Sequence, residues 1–180
     1  STGKWPDDVF VESGCRLPLP RSGDLTELGR DSYDDHVEPA GGTIKGLNGP
    51  GGIQFHSGVV SRHINGLLRY FGRDMDVSGR VRELAILTTA RELDSRFEWQ
   101  AHEPVALKEG LEPDIIDVIK RRREVDGLDE ADLVVILLGR QMFGDRRVEP
   151  EAFARVLVHF RQKGLVDLLS LMATYSATAS

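Results

Sequence analysis

The sequence predicts an all-α protein, a single helical bundle behind an irregular N-terminal arm. Three observations carry that expectation. From Ser57 onward apolar residues recur at helical spacing almost without pause. The segment ends carry helix punctuation, with Ser78 as an N-cap and Gly110 as a residue just past a helix. No stretch alternates convincingly as a strand.

Taken in order, residues 1–23 hold Pro6, Pro18, Pro20 and three glycines with no sustained period, which predicts an arm laid over the domain or a neighbouring subunit. A first helix is expected over 24–36, opening a single domain over 24–180. Residues 38–58 carry seven glycines and two prolines, including Gly49-Pro50-Gly51-Gly52. That density is expected to break any regular element, and a loop so long inside a compact domain is usually functional. Val60, Ile64, Leu67, Leu68 and Phe71 then mark a helix after Ser57. The segment 80–93 is apolar nearly all round, which predicts a buried helix. Further helices are expected from after Asp94 to Gly110, then over 113–123, 129–143, 150–162 and 165–178. The last is apolar on more than one face, so it belongs to the deep core or an interface.

At 180 residues, 40% hydrophobic and 29% charged, the chain suffices for one domain with a full core. No window approaches the roughly 18 unbroken apolar residues of a membrane span, and no apolar leader opens the sequence, so a cytoplasmic setting is expected. The net charge of −6 argues against a nucleic-acid partner. The one basic run, Lys120 to Arg123, is placed to complement a helix C-terminus. Cys15 is the single cysteine, so no internal disulfide, CxxC redox pair or paired-Cys metal site exists.

Chemistry is concentrated between Arg80 and His102. Glu83 has Ile86, Leu87 and Ala90 as its neighbours along a helix face, and a carboxylate there is desolvated unless it is compensated. The structural alternative is an ion pair with Arg80, one turn earlier. Glu98 and His102 lie four residues apart, on one helix face, and can share a proton. The structural alternative there is a capping box, Ser95 with Glu98, and a surface histidine. Pro104 is expected to bend the helix just past His102. Trp99 is expected in the core or an interface. A metal set of Glu83, Glu98, His102 and His56 lacks any recognised ligand spacing and ranks below an acid–base site.

The spacing Arg-Glu, then Ser-x-x-Glu-x-x-x-His with the serine twelve positions after the glutamate, followed by Ala106 and Gly110, resembles the core of the carboxymuconolactone decarboxylase and alkylhydroperoxidase-D-like family. The resemblance covers about residues 57 to 125 well and the rest only by helical pattern. It implies an all-α bundle of that family's type. In the peroxidase branch two cysteines lie seven and four residues before the histidine; here those positions are Ser95 and Glu98, so thiol peroxidase activity is expected to be absent. The decarboxylase branch has a glutamate four before the histidine and an arginine twenty before it, as Glu98 and Arg82 stand to His102. Its Asn-Gly pair after the histidine is Glu109-Gly110 here.

The resemblance therefore implies a decarboxylase or related lyase acting on a small, ring-derived carboxylate without cofactor or metal. His102 is the expected general acid/base, Glu98 sets its tautomer and charge, and Glu83 is a second relay group. Arg82 is expected to clamp the substrate carboxylate. From the Gly-rich loop, His56 and Asn48 either line the mouth of the site or serve the loop's own turns. A homo-oligomer (dimer, trimer or hexamer) is also implied. The rival reading is a non-catalytic, ligand-binding member of the same scaffold. The two diverge on whether Glu83, Glu98 and His102 converge or are tied up elsewhere.

Overall fold

A computed structural model describes residues 6–37 and 47–179. The chain is all-α, and among the described residues no strand forms beyond an isolated bridge between Phe10 and Cys15. Among the described residues eight α-helices run in order: α1 (Glu27–Val37), α2 (Pro50–Ile53), α3 (Gly58–Arg73), α4 (Gly79–Glu92), α5 (Arg96–Lys108), α6 (Pro113–Lys120), α7 (Glu130–Gly139) and α8 (Pro150–Thr178). No helix among them is long and apolar enough to cross a membrane. The chain divides into two compact units, Ser1–Tyr70 and Phe71–Ser180.

In the N-terminal unit the sequence expectation is corrected twice. The first helix begins three residues later than expected, after a 3-10 turn at Ser22–Asp24. The Gly-rich stretch, whose residues 38–46 lie outside the described residues, is not wholly irregular: it forms α2 and a 3-10 turn, Gln54–His56. Pro50 at the first helical position suits a helix start, because its fixed φ costs nothing there. Gly49 before it holds φ +78, a left-handed conformation that glycine adopts freely. The buried face of α3 is partly polar, with Ser61 and Asn65 each bonded to Ser32 at 3.1 Å, whereas Val60 and Leu67 of the expected apolar stripe are exposed.

The C-terminal unit is organised around α4, whose residues from Glu83 to Ala90 are all buried. It packs against α5, α6, α7 and α8. Leu84, Leu87, Val134, Ile136, Leu138, Leu168, Leu171 and Met172 build this core. Two threonines inside it, Thr88 and Thr89, donate their hydroxyls back to Leu84 O at 2.8 Å and Ala85 O at 2.9 Å, so neither is unsatisfied. Ser78 caps α4 by accepting from Val81 N at 3.2 Å. Gly110, at φ +88, ends α5, and Leu111 N returns to Ala106 O at 2.9 Å.

Two ends differ from expectation. α6 stops at Lys120 because Arg122 turns left-handed and Arg123 N bonds Val118 O. α7 stops at Gly139 and continues as a π-helical turn, Arg140–Asp145. The two expected C-terminal helices both form within Pro150–Thr178, separated by a kink at Arg161, where φ is +58 and ψ −178. The basic run after α6 is spent in ion pairs: Lys120 with Glu103, Arg121 and Arg123 with Asp117, and Arg122 with Glu92.

Candidate functional site

Three helices of the C-terminal unit supply the site. α4 starts at its Ser78 cap and carries Arg82 and Glu83 in its first turns. α5 starts at Ser95 and carries Glu98 and His102 on one face, since four residues make about one turn. The last turn of α8 brings Tyr175 and Thr178. Glu83, Glu98 and His102 are buried, at 2%, 6% and 5% exposure. Three ionisable side chains out of water and in mutual contact must share charge, because an isolated buried charge is costly.

The imidazole of His102 is flanked on both nitrogens. Nδ1 lies 2.8 Å from Glu83 Oε2, and an ionised carboxylate can only accept, so the N–H belongs to the ring. Nε2 faces Glu98 Oε2 across 3.6 Å, an ion-pair distance but too long for a hydrogen bond. The bond that orients the ring therefore comes from Glu83, where the sequence reading assigned that part to Glu98. Glu83 does not pair with Arg80. It accepts from Arg82 Nε at 3.3 Å, while Arg80 bridges Glu112 and the buried Asp132.

Nor is Glu98 closed in a capping box. Ser95 Oγ does accept from Glu98 N at 3.5 Å, but the Ser95 amide is already bonded to Ala90 O at 2.8 Å. With that donor taken, the Glu98 side chain turns inward. Burial pushes its carboxyl above the ordinary value, and the nearby His102 and a hydrogen bond from Thr178 only partly offset this. Tyr175 sets its ring edge-to-face with the imidazole, centroids 5.1 Å apart and planes at 87°. Burial, then the charges of Glu83 and Glu98, raise the Tyr175 phenol, so it stays protonated.

Arg82 belongs to the site but is partly committed. Besides Glu83 it contacts Gly72 O through Nη1 at 3.5 Å. A full bidentate grip on a substrate carboxylate would need those contacts to open; a single charge-assisted bond from Nη2 would not. α5 runs as one helix through Pro104 to Lys108. His56 and Asn48 lie in the N-terminal unit. His56 Nε2 bonds Pro18 O at 2.8 Å, which ties the 3-10 turn to the arm, and Asn48 is exposed in the turn before α2. Trp99 is half-buried, with the Lys120 ammonium 5.5 Å over its ring.

Among the described residues no group of three or more His, Cys, Asp or Glu is arranged to hold a metal ion. Tyr175 and Thr178 are the site residues that sequence reasoning missed. Their only signal is a tyrosine and a threonine three apart, on one face, at the end of an apolar helix. What the arrangement offers chemically is a proton-transfer unit: a histidine oriented through Nδ1, a second nitrogen not hydrogen-bonded, and a carboxyl of raised proton affinity beside it. Comparison with family profiles, curated proteins and solved structures returns no match for this chain.

Proposed function

We propose that the protein is an acid–base enzyme of the carboxymuconolactone-decarboxylase type, a lyase that removes CO₂ from a small, ring-derived carboxylate without a cofactor. The observation that carries this reading is the convergence of Glu83, Glu98 and His102 in one buried cluster, with neither carboxylate spent on its structural alternative. The bundle type and a homo-oligomeric state are part of the same proposal. The rival reading, a non-catalytic member, predicts those alternatives instead.

In this reading the carbon–carbon bond to the carboxylate breaks, and its electron pair enters a conjugated carbonyl system. CO₂ leaves, and the carbanionic carbon takes up one proton. His102 delivers that proton from Nε2, the nitrogen whose hydrogen bond is unmade. Glu83 holds Nδ1–H and stabilises the imidazolium when the ring is charged. Glu98, with its raised proton affinity, takes a fresh proton from solvent and passes it to Nε2 for the next turnover. Arg82 supplies a positive donor for a substrate oxygen. With no thiol at residues 95 or 98, peroxide has no nucleophile to attack there.

The experiment is incubation with γ-carboxymuconolactone and measurement of CO₂ release, beside His102→Ala. Turnover by the wild type and its loss in the variant is the expected result. Turnover that survives His102→Ala would remove the histidine from the chemistry. No turnover by the wild type would overturn the assignment to this substrate.

A further inference from the structure

The site as read from α4 and α5 leaves one side of His102 to α8. Tyr175 and Thr178 lie three residues apart, on one face of the last turn. Thr178 Oγ1 bonds Tyr175 O at 3.0 Å, which couples the pair within that turn. The aromatic ring meets the imidazole edge-to-face. We infer that Tyr175 is a positioning residue, holding the His102 imidazole so that the C-terminal turn of α8 completes the site.

The inference rests on the proposed reading of His102 as the acid/base, and the geometry gives its physical content. An imidazole turns about its Cβ–Cγ bond unless something blocks it. Glu83 fixes one ring nitrogen through a single bond, which a ring can swing about. A perpendicular aromatic at 5.1 Å blocks that swing. The charged and titratable groups facing His102 are Arg82 and Glu83 from α4, Glu98 from α5, and Tyr175 from α8. Of these Tyr175 alone presents an uncharged surface, so it is the one that can exclude water without adding charge. Phenylalanine would retain that surface; leucine would not reach across it.

The test follows the His102 Nδ1 proton by NMR hydrogen exchange in the full chain, with circular dichroism confirming the fold of each variant. Tyr175→Leu frees the ring, so the Nδ1 proton exchanges faster than in the wild type. Tyr175→Phe keeps the aromatic face and leaves the exchange as in the wild type, and it remains informative if Tyr175→Leu fails to fold. Unchanged exchange in folded Tyr175→Leu, or faster exchange in Tyr175→Phe, overturns the proposal. Glu83→Gln separates the two levels. If it changes the Nδ1 proton while the α8 variants change nothing, the positioning role fails and the site reading stands; if it too changes nothing, the site reading fails.

Discussion

Arg80 and Asp132 make the prediction that depends least on what the protein does. Asp132 is buried in the first turn of α7 and accepts from Arg80 Nη1 at 2.6 Å and Nη2 at 2.8 Å. Arg80 sits one turn before Glu83 on α4 and also reaches the exposed Glu112 on the threshold of α6. The pair is asymmetric, since the Asp132 side chain is 3% exposed and that of Arg80 26%. Arg80→Met strands a buried carboxylate, which costs about 3–5 kcal/mol, with the lower end expected because the site of the lost guanidinium admits some water. Asp132→Asn keeps an acceptor in place and leaves Arg80 its Glu112 partner and its partial hydration. Its loss is the charge-assisted part alone, about 1–2 kcal/mol. Glu112→Gln lies at the surface and should stay within about 0.5 kcal/mol. Urea denaturation at neutral pH, with unchanged m, measures all three. An Asp132→Asn loss equal to or larger than that of Arg80→Met would refute the argument, because it would place the desolvated charge on the arginine.

Three further outcomes follow from the same coordinates. Leu87 is fully buried in the middle of α4, so Leu87→Ala should lose about 2–5 kcal/mol in the same assay; a loss below about 1 kcal/mol would mean that α4 is not the central helix. A Cβ on Gly58 would stand 2.7 Å from Gly29 N and 2.8 Å from Gly29 Cα, backbone that cannot swing aside. Gly58→Ala should therefore lower the melting temperature, and an unchanged value would contradict the close approach of α1 and α3. Glu98 binds its proton more tightly folded than unfolded. Its contribution is thus complete below the unfolded pKa and lost as pH rises through the folded one. The stability of the wild type relative to Glu98→Gln should fall as pH is raised over that window, and a rise would reverse the sign of the argument.

Much of the helical framework was legible because punctuation and period agreed. Ser78, Gly110, Pro113 and Pro150 each mark a helix end within a residue or so of where it lies. The errors have physical causes. Residues 121–123 read as helix because arginine is a good helix former, but the left-handed turn at Arg122 is paired with a returning amide that no periodicity reveals. The Gly-rich stretch read as a loop because glycine opposes helix on average, while Pro50 locally favours a start. In the site, the four-residue spacing put Glu98 beside His102, and both are buried. The partner of each ring nitrogen was not legible, because Glu83 arrives from another helix at 19 residues' separation. For the same reason Asp132 displaced Glu83 as the partner of Arg80 from 52 residues away. Tyr175 and Thr178 come from still farther along the chain.

The central claim is that His102 is oriented by Glu83 through Nδ1, with Nε2 as the exchanging nitrogen. Nitrogen-15 NMR of the His102 ring, recorded with the imidazole in its neutral form, tests it most directly. The account predicts a protonated Nδ1, an unprotonated Nε2, and a slowly exchanging Nδ1 proton that Glu83→Gln weakens. A ring protonated at Nε2 instead, or an Nδ1 proton indifferent to Glu83→Gln, would contradict it.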